Sequence, residues 1–219
     1  MSLKKIILIS VIVLVFSSCQ SISNENIAPG YKDTFISIKS AVFGYESVIS
    51  DDLINQIPYA SMLLRIGKGP EGLVILESIK SQEYTWVSAD GVYLVTENGR
   101  IIKTSGLLNN LKSIDKGFSS LNEIINLSSP ITVYYNFSNP ELRNLKLVLE
   151  YSLEGQEELM IMGQKKELTL IYENGFSPTL GWNFINKYWV DENFIVWKSI
   201  QHVTPKIPPI EMLLTKKPS

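Results

Sequence analysis

The stretch YTWVSADGVYLVTENGRIIKTS, Tyr84 to Ser105, decides the fold class. It carries two turn dipeptides, Asp90-Gly91 and Asn98-Gly99, separated by six residues. Both tolerate positive φ at the two central positions of a tight hairpin turn, so the stretch predicts a three-stranded antiparallel meander. Two-residue turns set Ala89 opposite Val92 and Glu97 opposite Arg100. In that register Trp86, Val95 and Ile102 share one face, closed at the second turn by the Glu97–Arg100 pair. Val87, Leu94 and Lys103 share the other, more mixed face. A slip of one residue would exchange the two faces, so burial of the Trp86 row is expected to hold the register.

On the C-terminal side of the meander the two-residue period dominates. Ile131 to Phe137 reads as a strand. Leu145, Leu147, Leu149, Tyr151 and Leu153 alternate with polar residues in a long strand with one buried face. Gly155-Gln156 is expected to turn it, and Glu158 to Met162 to return. Gly163 to Lys165 turns again into Leu168, Leu170 and Tyr172, which end at Asn174-Gly175. Trp182–Val190 and Phe194–Val203 form a hairpin around Asp191-Glu192-Asn193. Pro205, Pro208 and Pro209 interrupt pairing before a last strand, Ile210 to Thr215. Between the meander and Ile131, Leu108, Leu111 and Ile114, then Leu121, Ile124 and Ile125, have helical spacing, and Leu107 to Asn126 is expected to be a helical connection.

On the N-terminal side, Tyr59–Ile66 and a largely buried Gly72–Ile79 read as strands around a Gly67-Lys68-Gly69-Pro70 turn. Phe35, Ile38, Val42 and Tyr45 place an amphipathic helix over Tyr31–Ser47, and Asp51-Asp52 would cap a short helix running to Gln56. Ten or more short strands at regular spacing predict a mainly β, antiparallel sandwich or barrel-like single domain with one or two N-terminal helices over residues 31–219. The composition agrees, since 219 residues with 45% hydrophobic content are enough for one sizeable core.

The chain begins differently. Lys4 and Lys5 precede an apolar run, Ile6–Phe16, too short to span a bilayer as a mature helix. Ser17, Ser18 and Cys19, the single cysteine, follow. This resembles a bacterial lipoprotein signal peptide over residues 1–18, which implies cleavage before Cys19 and acylation of that residue by chains such as palmitate. Several acyl chains give stable anchoring, at about 0.8 kcal/mol per buried CH2. Gln20 stands where Asp would favour the inner membrane in enteric lipoproteins, so the expected location is the outer membrane. Residues 19–30 are polar and rich in Ser, Asn, Pro and Gly, and read as a flexible tether. With Cys19 acylated no disulfide can form within the chain.

Three segments carry a family resemblance: GKGPEGLVIL (Gly67–Leu76), WVSADGVYLVTENGRIIKTSGL (Trp86–Leu107) and NKYWVDENFIVWKSIQHVTPKIPPI (Asn186–Ile210). Together with the lipoprotein start they resemble the YjbF/GfcB family of capsule and exopolysaccharide lipoproteins. The resemblance implies a lipid-anchored, periplasm-facing outer-membrane protein with an accessory, non-catalytic part in secreting or assembling a surface polysaccharide. It implies as partner a large outer-membrane β-barrel of the same secretion system. It carries over no catalytic residue.

The residues themselves argue the same way. A formal net charge of −2 points to neither a nucleic-acid binder nor a polybasic membrane-surface protein. One histidine, His202, and a lipidated cysteine leave no expected metal site and no expected cofactor. His202 has no G-x-S-x-G elbow to serve. Asp90, Glu97, Asp191 and Glu192 match the carboxylates of glycoside chemistry only by type, because the first and third sit in turns and Glu97 faces Arg100. Gly67-Lys68-Gly69-Pro70 lacks the spacing of a phosphate loop. The candidate contact residues for glycan or partner are Trp182, Tyr188, Trp189 and Trp197, with Asn183, Asn186 and Gln201 to bond hydroxyls. Aromatic faces stack on sugar rings, although at strand spacing the core is the commoner fate of such rings. Tyr188 and Trp189 are adjacent in a strand, so they point to opposite faces and at least one lies outside the main core.

Overall fold

The computed structural model describes residues 49–115, 120–125 and 129–218. The signal peptide, Cys19, the tether and the helix expected over Tyr31–Ser47 lie outside the described residues. A short helix α1 (Asp51–Gln56) comes first, followed by β1 (Ser61–Ile66), β2 (Gly72–Lys80), β3 (Glu83–Ser88), β4 (Tyr93–Glu97), β5 (Arg100–Ser105) and β6 (Asn110–Asp115). A single helical turn α2 (Leu121–Ile125) leads to β7 (Ile131–Ser138), β8 (Leu142–Ile161), β9 (Gln164–Ser177), β10 (Trp182–Val190), β11 (Val196–Gln201) and β12 (Ile210–Lys216).

The twelve strands of the described residues belong to one antiparallel sheet, ordered β5-β4-β3-β2-β1-β12-β11-β10-β9-β8-β7-β6. Two meanders are joined where the first strand pairs with the last, from Leu63↔Leu213 to Ile66↔Ile210. The two outer strands, β5 and β6, are consecutive in the chain. Leu111 N donates to Thr104 Oγ1 at 2.9 Å and Thr104 Oγ1 to Asn110 Oδ1 at 3.4 Å, so these bonds bring the edges together. The sheet is therefore a nearly closed, barrel-like structure. Twisting and near-closure remove the long exposed edges that an open twelve-stranded sheet would carry. Trp86, Leu94, Val133, Leu147, Leu149, Ile210 and Met212 lie in its main core.

The opening meander forms with a different register. Asp90-Gly91 sits in a three-residue loop: Ser88 N donates to Val92 O at 3.0 Å and Gly91 N to Ser88 O at 3.1 Å, with Gly91 at φ +82°. This is the common three-residue alternative to a two-residue hairpin turn, with glycine in the left-handed position. Trp86 therefore faces Leu94, not Val95. The Asn98-Gly99 turn keeps two residues and sets Glu97 opposite Arg100, but a bulge beside Val95 then shifts Val95 against Lys103 and Leu94 against Thr104. The buried row is Trp86, Leu94 and Thr104, and neither row drawn from the sequence exists. Trp86 Nε1 donates to Thr96 Oγ1 at 2.9 Å across the same face.

Other expectations also change. The helical connection expected over Leu107–Asn126 holds only in its second half, where Leu121–Ile125 form α2; in the first half Leu111 is buried in β6, which pairs with β7, while Leu108 is exposed. Three apolar residues at helical spacing did not outweigh a free strand edge available for pairing. In β2 only Val74 is fully buried, so that strand is half-buried. Ser50, not Asp51-Asp52, caps α1, accepting from Leu53 N. Gly155-Gln156 is not a turn: both residues pair with β9 directly after a bulge at Glu154, inside one twenty-residue strand, β8. The turn comes at Met162-Gly163, where φ is 49° and 71° and Ile161 closes on Gln164. Asn174-Gly175 is interior to β9. Gly175 is needed there because a Cβ would lie 2.1 Å from the Phe184 ring.

Candidate functional site

The β8 bulge decides what lies inside. Before it, Leu153 pairs with Ile171, and after it Gly155 pairs with Leu170. Along β9 the buried side therefore changes from Leu168 and Leu170 to Ile171, Glu173, Gly175 and Ser177. This puts a carboxylate, Glu173, in the interior with 0% exposure.

Arg100 meets it from the far meander. Glycine at position 99 lets the β4–β5 turn approach Val196, since a Cβ would lie 2.3 Å from Val196 Cγ2. Gln201 fixes that approach, donating to Gly99 O at 2.8 Å and accepting from Ile101 N at 2.9 Å. The Arg100 guanidinium then donates to both oxygens of Glu173, Nη2 to Oε1 at 3.0 Å and Nη1 to Oε2 at 2.5 Å. It also donates to the hydroxyls of Tyr135 and Tyr151, each at 2.7 Å. The Tyr151 hydroxyl in turn donates to Glu173 Oε2 at 2.6 Å, and Asn186 Nδ2 donates to Oε1 at 2.7 Å. Asn186 Oδ1 accepts from His202 N at 2.6 Å, which ties the cluster to the end of β11.

The electrostatics are those of a sealed pair. Burial opposes the Arg100 charge, yet Glu173 and the surrounding tyrosines hold its pKa well above the usual arginine value. Burial pushes the hydroxyls of Tyr151 and Tyr188 well up, and that of Tyr135 up, so all three stay protonated at neutral pH. A charge pair this enclosed is stable only with its remaining bonds made, and both Glu173 oxygens are occupied by donors. The chemistry available to Glu173 is to hold the two meanders together. Glu97 and Arg100 do face each other in the β4–β5 register, while the guanidinium reaches across to Glu173.

The aromatic candidates are placed one by one. Tyr188 is fully buried in a second, smaller cluster with Leu121, Ile171 and Val190. Trp189 belongs to the main cluster, so the two neighbours do point to opposite faces, and both faces are covered. Trp189 Nε1 donates to Glu157 Oε2 at 2.7 Å, and Lys198 Nζ lies 5.3 Å from its ring. Trp197 Nε1 donates to Asp191 Oδ2 at 2.9 Å, with Lys166 and Lys217 3.9 and 4.6 Å from its ring. Cations thus occupy the indole faces that a sugar would need. Trp182 alone of the four stays half-exposed, 4.4 Å from Phe184, with exposed Asn183 beside it. Asn186 and Gln201 are buried and committed to the polar cluster.

Asp191 organises the β10–β11 loop. Its Oδ1 accepts from Asn193 N and Ile195 N, each at 3.0 Å. Partial burial would raise its pKa, but the bonds from Trp197 and these two amides, with Lys217 nearby, hold it below the ordinary aspartate value. Asp90 accepts from Ser88 Oγ in its own turn. Next to the Asp191 loop a groove of about 260 Å3 runs between Trp86, Thr96, Trp197 and Met212, with Lys198 and Lys217 on its lining. No carboxylate among the described residues lines it. Among the described residues no three His, Cys, Asp or Glu are grouped to hold a metal, and no helix is long and apolar enough to cross a membrane. Burial lowers the His202 pKa, partly offset by the Ile185 carbonyl. The sequence missed Glu173 because Asn174-Gly175 reads as a stop. The available signal was a carboxylate in step with Ile171 and Gly175.

The family described as "Group 4 capsule polysaccharide lipoprotein gfcB, YjbF" matches residues 35–214. The uncharacterized lipoprotein GfcB of Escherichia coli K12 is 26% identical over 217 residues, covering 96% of this chain and 97% of that protein. The uncharacterized lipoprotein YjbF of the same organism is 23% identical, covering 82% and 86%. The crystal structure of the hypothetical lipoprotein YmcC from Escherichia coli K12 superposes with a TM-score of 0.69 at 27% identity, covering 83% of this chain and 95% of that one. The chain therefore belongs to the YjbF family of group 4 capsule polysaccharide lipoproteins.

Proposed function

We propose that this protein is an accessory, non-catalytic lipoprotein of the outer membrane, facing the periplasm through an acylated Cys19 and assisting secretion or assembly of a capsule or other extracellular polysaccharide. The observation that carries the proposal is the family match, which runs through nearly the whole barrel and includes the Arg100–Glu173 centre. Two features favour contact over catalysis. Among the described residues the groove is lined by aromatic, aliphatic, amide, hydroxyl and lysine side chains without an acid, whereas glycoside hydrolysis needs two carboxylates about 5–10 Å apart. The buried carboxylate has both oxygens bonded. The partner in this reading is an outer-membrane β-barrel of the same secretion system, with the polymer itself as a further ligand.

Deletion of the gene is expected to lower surface polymer or strand it in the periplasm, restored by the wild-type chain and not by Cys19→Ser. Labelled palmitate should appear on the wild-type protein and not on Cys19→Ser. Unchanged amount and location of polymer in the deletion strain would overturn the reading.

A further inference from the structure

The β8–β9 hairpin outruns the rest of the sheet. β7 accompanies β8 only as far as Ile131↔Leu149, and β10 accompanies β9 only as far as Val190↔Thr169. Beyond Gly155, β8 pairs with β9 and, among the described residues, with no strand on its other side. The β9 side of this ribbon lies against the loop of Asp191, since Lys166 sits over Trp197. Among the described residues the β8 side is open. The hairpin closes on Ile161↔Gln164 in a two-residue turn, so that pair exchanges hydrogen bonds. Counting back by twos, the main-chain N–H and C=O of Met160, Glu158 and Gln156 point away from β9, into the open edge.

This edge is not guarded in the usual way. Leu153 and Met160 are each 60% exposed on it. Its charges are Glu154, Glu157 and Glu158, with Lys165 paired to Glu158 at 2.8 Å. A second copy fits poorly. Two-fold pairing centred on Gln156, Glu157 or Glu158 opposes Glu154 with Glu158, Glu157 with itself or Glu158 with itself, and like charges directly opposite destabilise a strand pair; centring on Leu159 avoids this but leaves only residues 157–161 to pair. An extended segment with basic and apolar residues in alternation sets its basic side chains on the face of Gln156, Glu158 and Met160, where Glu158 is the exposed carboxylate, and its apolar ones on the face of Leu159 and Ile161, while its main chain meets the open N–H and C=O groups. We propose that the open edge of β8, Gly155 to Ile161, receives an extended basic strand from a protein partner by strand addition.

The test uses the full acylated protein in detergent micelles. Its probe is a fluorescent ten-residue peptide alternating valine and lysine, beside a control with glutamate for lysine. The lysine peptide should bind saturably, more weakly as salt rises, and slow hydrogen exchange at the amides of Gln156, Glu158 and Met160. Gln156→Pro, which removes one outward N–H without touching the β9 ladder, should weaken binding about tenfold. Glu158→Lys should weaken it while leaving the main chain intact, and unchanged tryptophan fluorescence in both variants shows that the ribbon stays in place. No binding, equal binding of the glutamate peptide, protection elsewhere than this edge, or wild-type affinity in Gln156→Pro would each overturn the proposal. So would a dimer in sedimentation that Gln156→Pro dissolves. None of these outcomes bears on the capsule reading, which the deletion strain tests separately.

Discussion

Glu173 shows how one residue can be read wrongly from its neighbours. Beside Asn174-Gly175 it looks like the last residue before a turn, and a solvated carboxylate would suit that place. In the barrel it is the acceptor on which Arg100, Tyr151 and Asn186 converge. Glu173→Ala leaves Arg100 charged and buried, so unfolding in urea should show a loss of about 3–5 kcal/mol. Replacing Arg100 and Glu173 together by Met and Leu should recover most of it, because the cost lies in the orphaned charge. Asp191 gives a pH-dependent counterpart. Its folded pKa lies below the ordinary value, so the unfolded chain takes up the proton first as pH falls. Its contribution is complete above the unfolded pKa, near 3.9, and is lost as pH drops toward and through the lower folded value. Asp191→Asn should flatten this part of the acid limb, read as urea midpoints between about pH 5 and pH 2.

At the scale of elements, the strands were legible and their junctions were not. Alternation from Leu145 to Leu153 marked β8 correctly, because one buried face imposes a two-residue period whatever the neighbours are. In the sequence Gly155 reads as a turn because glycine supplies positive φ to turns and bulges alike. It sits at φ +133° in a strand that continues for six more residues, to Ile161. Gly155→Ala is expected to cost about 1–3 kcal/mol in urea unfolding through backbone strain. It should also shift the tryptophan emission, since the Glu157–Trp189 bond depends on how the ribbon leaves the bulge. The first meander failed for a related reason. Two-residue and three-residue loops share the dipeptide Asp-Gly, and the choice moves Trp86 from Val95 to Leu94.

For the whole molecule, the pairing of β1 with β12 is the contact of longest reach. It joins two meanders that also meet at the β5–β6 edge, through the Arg100–Glu173 centre, where Gln201 holds Gly99 and Ile101, and in the shared core. A chain ending before Ile210 loses β12 and exposes Met62, Leu64 and the β11 edge together. Such a truncation should abolish cooperative thermal unfolding followed by circular dichroism; a sharp transition in the truncated chain would show that β12 is dispensable. The family, the lipoprotein-like start, the β content and most strand positions followed from the sequence, because a signal, a period and a motif are local patterns. Near-closure into a barrel, the burial of Tyr188, Trp189 and Trp197, and the meeting of Arg100 with Glu173 followed only from the tertiary structure. They depend on register, and register is set by single-residue bulges whose placement minimises a cost summed over both strands.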